Sequence, residues 1–268
     1  MTVVSVIGAE GFVGSAFAHH LASRPGVTLR RVTRGNYGEE AGRPSDIVID
    51  CSGNSRKYLA DQKPVEEFDL SVAQRLRTIE TFPAALHLHV SSVDVYSDLD
   101  SVEGTREDSP VDLTRVSHYG LHKRLAEDLV RHYARRWLIV RLAGMVGPGL
   151  KKNPVYDVLH GQPQRIHPDS RYQFMDTREA ARICWSLVEE GAPGEVFNVC
   201  GDGLVSPMEI AQLAGRELDL SLLEPAAGPR IVHVNVEKLR RRMPVPKTAD
   251  AVSAFIRSWN RERRPGIA

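Results

Sequence analysis

Tyr119 and Lys123 are four residues apart in a segment, 117–136, with helical spacing of its apolar positions, so a phenol and an ammonium share one helix face. A phenol exchanges protons near pH 10 in water, and working near neutrality requires stabilising its phenolate by about 4 kcal/mol. One cation at about 4 Å, at an effective dielectric near 20, supplies that order of energy. The spacing therefore predicts a phenol acidified by Lys123. Upstream, the apolar stretch 87–91 reads as a buried strand that ends in Ser91-Ser92-Val93-Asp94-Val95-Tyr96. Ser92 there is a candidate to hydrogen-bond the oxygen that Tyr119 protonates. Hydroxyl, phenol and ammonium around one carbon suit proton transfer coupled to hydride transfer at a carbinol or ketone.

A hydride needs a carrier, and the N-terminus offers a place for one. The β-branched run Thr2–Ile7 is followed by Gly8-Ala9-Glu10-Gly11-Phe12-Val13-Gly14 and then by apolar residues at helix spacing. The first glycine permits a tight turn, the second lets backbone approach a pyrophosphate, and the third lets the helix pack closely on the strand. An isolated glycine pattern would be an ordinary βα turn; strand, loop and helix in register predict a dinucleotide. Residues 12–37 contain no Asp or Glu to hold a ribose diol, whereas Arg30, Arg31 and Arg34 crowd the end of the second strand. A guanidinium grips a 2′-phosphate with charge-assisted bonds, so Arg34 favours NADP, with NAD as the alternative.

These groups need a scaffold that brings strand ends together. Strands are expected at 2–7, 27–33, 46–51, 87–91, 138–142 and 195–199, alternating with helices at 12–23, 65–81, 117–136 and 177–190. That alternation implies an α/β fold, a Rossmann-type doubly wound parallel sheet whose strand ends carry the ligands. Alternation fades after Gly147-Pro148-Gly149. A dinucleotide-binding part is therefore assigned to 1–150, with 172–200 returning to it, and a small, mostly helical substrate-binding part to 151–268, with helices at 155–160, 207–217 and 249–261. The 268 residues bury a core without staples; 42% are apolar and 26% charged, as in ordinary soluble globular chains. With 35 basic and 34 acidic residues, no overall field points to nucleic acid or an anionic membrane. Three cysteines, Cys51, Cys184 and Cys200, in no metal-ligand spacing, argue against a disulfide framework and a zinc site. No leader or membrane-length apolar run is visible, which leads to the expectation of a cytoplasmic protein.

Six segments in order make the chain resemble the extended short-chain dehydrogenase/reductases of the NAD-dependent epimerase/dehydratase family, over most of its length. The loop at 8–14 matches GxxGxxG, residues 91–96 resemble SSxxVYG, and Tyr119 to Lys123 match YxxxK. RLAGMVGPG at 141–149, RYQFMDTREAA at 171–181 and the segment 195–202 are similar to three further family stretches. The resemblance implies Ser92, Tyr119 and Lys123 as catalytic residues. It implies Gly8, Gly11, Phe12, Val13, Gly14, Arg34, Ser52, Gly53 and Leu142 around the cofactor, and Asp94 and Arg171 at a nucleotide-sugar, Arg171 on its diphosphate. It also implies a homodimer through the Tyr-bearing helix.

Departures from the pattern narrow the reaction. Val93-Asp94 replaces the Asp-Glu pair with which family dehydratases eliminate water, so a dehydratase is disfavoured. Ser71 replaces a common Asn, and the chain before Asp46 is short where larger members insert a helix and strand. The leading reading is reduction of a nucleotide-linked 4-keto-sugar by NADPH. The alternatives are an epimerase with tightly bound NAD and, in a different class, an NADP-binding regulator without turnover. Elsewhere His87, His89, His122 and His132 read as structural or surface residues, and no metal is assigned. Tyr133, Leu125 and Leu129 read as core, 151–153 as a solvated loop, and 238–242 as a solvated face.

Overall fold

The computed structural model describes residues 1–262. Eight strands occur: β1 Thr2–Ile7, β2 Val27–Val32, β3 Ser45–Asp50, β4 Ala84–Ser92, β5 Trp137–Leu142, β6 Gly144–Val146, β7 Phe174–Asp176 and β8 Glu195–Val199. The helices are α1 Gly14–Ala22, α2 Tyr37–Glu40, α3 Tyr58–Gln62, α4 Pro64–Phe68, α5 Gln74–Thr81 and α6 His118–Tyr133. They continue with α7 Pro154–His160, α8 Thr177–Glu189, α9 Pro207–Ala214, α10 Glu237–Arg240 and α11 Thr248–Glu262.

Six strands form one parallel sheet in the order β2-β1-β3-β4-β5-β8. This is the Rossmann-type parallel sheet with flanking helices. The order reverses between β1 and β3, and at such a switch point the strand ends open onto a crevice. Val4, Val6, Ile49, Leu88 and Val140 are fully buried, as strands covered by helices on both faces require. Helix α8 lays Ala181, Cys184 and Leu187 into the same core.

A second apolar cluster collects Val146, Val155, Leu159, Phe174, Ile210 and Ile256 from β6, α7, β7, α9 and α11. Its two-stranded sheet, β6 with β7, was not anticipated, because strands of three residues carry no readable periodicity. The helix expected over 65–81 is composite: α4, then a π turn at Asp69–Ala73, then α5. Tyr133 is exposed, and Leu125 and Leu129 are only half-buried; the last turn of α6 reaches the core through Val130 instead, which packs with Ala134 and Ile139. The run 238–242 is not wholly solvated either: Leu239 is fully buried and the Lys238 ammonium lies over the Phe197 ring. Among the described residues, no helix is long and apolar enough to cross a membrane.

Candidate active site

The crevice begins at the turn after β1. Gly8 adopts a left-handed φ of +76°, and a Cβ on Gly14 would stand 2.1 Å from the Gly8 carbonyl oxygen. Only glycines let α1 start this close to the strand end. Phe12 and Val13 anchor the turn by packing on the core, and no side-chain hydrogen bond caps α1 at Val13. The first-turn N–H groups of such a helix are suited to a pyrophosphate, and the cradle has the backbone shape a dinucleotide requires.

The segment after β3 joins this cradle to Lys123 and Tyr119. At one end, a Cβ on Gly8 would lie 3.2 Å from the Cys51 carbonyl oxygen. At the other, the corresponding point on Gly53 is 3.6 Å from the Lys123 ammonium. Asn54 follows, and its carbonyl accepts the Tyr119 hydroxyl at 3.3 Å. Ser52 is fixed by Asp50, whose carboxylate accepts from its N–H at 2.9 Å and from its hydroxyl at 2.7 Å. Asp50 is itself buried against the Arg75 guanidinium, which donates to the Ser52 carbonyl at 3.0 Å.

The structure brings Tyr119 and Lys123 together: the ammonium is 5.3 Å from the phenol ring centre, and both are buried on α6, whose N-cap Ser117 accepts from the Gly120 N–H. The expected acidification of the phenol does not follow in this chain by itself. Burial pushes Tyr119 above the ordinary phenol range, and the Asp94 and Glu67 carboxylates push it further. Burial and the neighbouring Arg75 pull Lys123 down to about 8, against the opposing pull of Glu67 and Asp94. A single cation at this distance does not offset the cost of desolvating the phenolate.

Ser92 lies where β4 ends, and its hydroxyl donates to Asp94 at 2.7 Å. Asp94 is buried, yet its carboxyl sits below the ordinary range: the burial penalty is outweighed by Lys57 at 2.7 Å, the Ser92 hydroxyl and the Arg230 guanidinium at 3.9 Å. A cavity of about 320 Å³ opens beside it, lined in part by Asp94, Arg115, Ser117 and Arg230. Leu142 is buried beside Ser92 through the β4–β5 register. Arg171 is engaged with Glu209 at 2.9 and 3.0 Å, in the segment that runs beside Arg230. Arg34 stands in an exposed turn that Asn36 closes by accepting from the Thr33 N–H and donating to the Arg31 carbonyl.

Several site residues escaped the sequence reading. Asn54, Lys57, Arg75 and Arg230 belong to no recognisable spacing; only Asp50, a carboxylate ending an apolar strand, carried a signal. His122, expected as a structural or surface residue, is of the structural kind. It is buried on α6 and its Nδ1 meets the fully buried Glu67. His89, on β4, is buried with neither ring nitrogen hydrogen-bonded among the described residues. No cluster of three or more His, Cys, Asp or Glu able to hold a metal occurs among those residues.

The model of the NAD dependent epimerase/dehydratase family matches residues 43–200, more than half of the chain, leaving the glycine cradle outside the match. A crystal structure of UDP-galactose 4-epimerase superimposes with a TM-score of 0.77 at 24% identity, covering 98% of this chain and 100% of its own. RMD from Pseudomonas aeruginosa, complexed with NADPH, gives 0.82 at 19% identity over 98% and 100%. The dTDP-4-dehydrorhamnose reductase of Bacillus anthracis, in complex with NADP, gives 0.77 at 16% over 96% and 98%. These likenesses are of fold. No curated protein sequence matches the chain.

Proposed function

The chain belongs to the NAD-dependent epimerase/dehydratase family, and on that premise we propose that it reduces a 4-keto-sugar carried on a nucleotide, using NADPH. The observation that carries this reading is the segment 51–54, which touches the glycine cradle at one end and Lys123 and Tyr119 at the other. A pyrophosphate on the cradle and a carbonyl at the phenol would thereby share one crevice.

When bound, NADPH supplies the hydride, and its oxidised form adds a positive charge that favours the phenolate. Gly8, Gly11, Phe12, Val13 and Gly14 would hold its pyrophosphate, and Arg34 its 2′-phosphate. Ser52, Gly53 and Leu142 would flank its nicotinamide end. Tyr119 donates its proton to the substrate carbonyl oxygen as that oxygen becomes an alkoxide, and Ser92 exchanges its bond to Asp94 for one to the same oxygen. Lys123, held near pKa 8, returns a proton to Tyr119 and regains one from solvent. Asp94 and Arg171 would contact the sugar and its diphosphate; for Arg171 this means leaving Glu209. A homodimer formed through the Tyr-bearing helix belongs to the same proposal.

The reductase reading is favoured over the epimerase by the arginines beside β2, which suit an exchangeable NADP, and by the Asn36-braced turn that presents Arg34 without a neighbouring acid. The test is to supply a panel of nucleotide-linked 4-keto-sugars with NADPH and follow loss of reduced-nicotinamide absorbance against product. One NADPH oxidised per product supports the proposal. Conversion with no net consumption of cofactor, by a protein that purifies with NAD, overturns it in favour of epimerisation.

A further inference from the structure

The cavity beside Asp94 presents side-chain donors around one acceptor that is already occupied. Besides Asp94, it is lined by Ser97, Arg115, Ser117 and Arg230, among others. The Asp94 carboxylate takes its bonds from the Lys57 ammonium and the Ser92 hydroxyl, each at 2.7 Å. Arg230 stands 3.9 Å from it, beyond hydrogen-bond reach, and its guanidinium donates no hydrogen bond among the described residues. Arg115 forms no ion pair among those residues either. The carboxylate three positions before it, Asp112, is held by the Thr114 N–H at 3.0 Å and the Thr114 hydroxyl at 2.7 Å. Ser97 accepts the Asp112 N–H and Ser117 the Gly120 N–H, both at 3.1 Å, which leaves each hydroxyl a proton to donate.

A cavity whose uncommitted polar groups are two guanidiniums and two hydroxyls selects an acceptor that carries negative charge, and the planar guanidinium fork matches a carboxylate. Its place in the crevice says where on the ligand that charge lies. Asp94 follows Ser92 by two residues and Ser117 precedes Tyr119 by two. The Asp94 carbonyl oxygen lies against α6, where a Cβ on Gly120 would stand 2.1 Å from it, and the Lys57 ammonium is 6.0 Å from the phenol ring centre. The cavity therefore adjoins the reacting end of the crevice. In a hexose that reacts at C4, the neighbouring substituent is C6, carried on C5, whereas the diphosphate hangs from C1 across the ring. We propose that this cavity is an anion subsite for a carboxylate at C6, so that the substrate is a nucleotide-linked 4-keto-uronate. This rests on the reading of the chain as a reductase of nucleotide-linked 4-keto-sugars. Arg115 and Arg230 take the carboxylate oxygens, Ser97 and Ser117 add hydroxyl donors, and Lys57 neutralises Asp94 so that it does not repel the ligand. The rim continues in the same sense: Lys152, before α7, donates to the Ser55 carbonyl, where burial and the like charges of Lys57 and Arg56 pull its ammonium below the ordinary range.

The test is calorimetric titration of the full chain saturated with NADPH, under which a sugar that already bears an alcohol at C4 does not react. The ligands are matched pairs of nucleotide diphosphate sugars that differ only in a C6 carboxylate or a C6 hydroxymethyl group, on uridine, thymidine and guanosine carriers. On the carrier the chain accepts, the uronate is expected to bind about tenfold or more tightly than its neutral partner. Arg115→Met and Arg230→Met, both at exposed positions, are each expected to bring that ratio towards one. Equal binding of the two partners, or a preference that survives both substitutions, overturns the subsite. Equal losses for both partners in Arg230→Met would put the nucleotide's own diphosphate on that side chain and overturn it as well. Binding of neither partner on any carrier, by a chain that holds NADPH, would instead sink the nucleotide-sugar reading beneath it, and the subsite with it.

Discussion

At the residue scale, the buried Lys123 beside Tyr119 works against the stability of the fold. Lys123 drops from an ordinary 10.5 to about 8 through burial and Arg75. A base lowered in the native state is charged in both states below pH 8, and there the native chain carries the full penalty. Between pH 8 and 10.5 the unfolded chain keeps a proton the native chain has released, so native stability rises with pH. Lys123→Met should therefore abolish turnover yet stabilise the chain at pH 7, by up to about 3 kcal/mol. Urea unfolding at pH 7 and pH 10 checks this: the wild type should gain on the variant at the higher pH. Arg34→Ala should weaken NADP binding about tenfold or more and leave NAD nearly unchanged, as titration with each cofactor would reveal; equal losses would remove the 2′-phosphate assignment. Tyr119 and Lys123 were legible because a four-residue spacing fixes a shared helix face. The direction of the phenol's shift was not, since it is set first by burial and then by Asp94 and Glu67, carboxylates brought in from other elements.

At the element scale, apolar runs between glycines located the six strands of the main sheet, β1 and β8 to the residue. The segment 65–81 was legible as helical but not as broken. Its π turn carries Ser71, and Ser71 and Arg75 both end up almost completely buried. A polar stretch such as QRLRTIET gives no sign that one arginine faces a buried aspartate. The same blindness covers Glu127 on α6, which binds Arg141 of β5 at 2.8 and 2.9 Å, accepts from Ser91 at 2.7 Å and is fully buried. Burial works against the Glu127 carboxylate, but Arg141, Ser91 and Arg131 hold it below the ordinary range. Glu127→Gln strands a buried guanidinium and should cost about 3–5 kcal/mol in chemical denaturation. Replacing both partners, Glu127→Leu with Arg141→Met, should cost clearly less, because no charge is left unpaired.

At the scale of the whole molecule, parallel strand order puts the ends of β1, β3 and β4 side by side; a glycine turn follows the first, the 51–54 segment the second, and Ser92 ends the third. Sequence order was enough to anticipate this sheet. The way β6, β7, α7, α9 and α11 close a second core was not, because that cluster gathers residues more than 100 positions apart, Val146 and Ile256 among them. The stretch between α9 and α10 delivers Arg230 to Asp94, so this side of the crevice is where sequence said least. The central claim is hydride transfer in that crevice with Tyr119 as proton donor. It is tested most directly by supplying NADPH deuterated at its transferable position with a nucleotide-linked 4-keto-sugar and comparing wild type with Tyr119→Phe at saturating cofactor. The account predicts one deuterium per product molecule from the wild type and almost none from the variant, with NADPH bound equally by both. Undiminished deuterium transfer by Tyr119→Phe, or no NADPH binding by either, would contradict it.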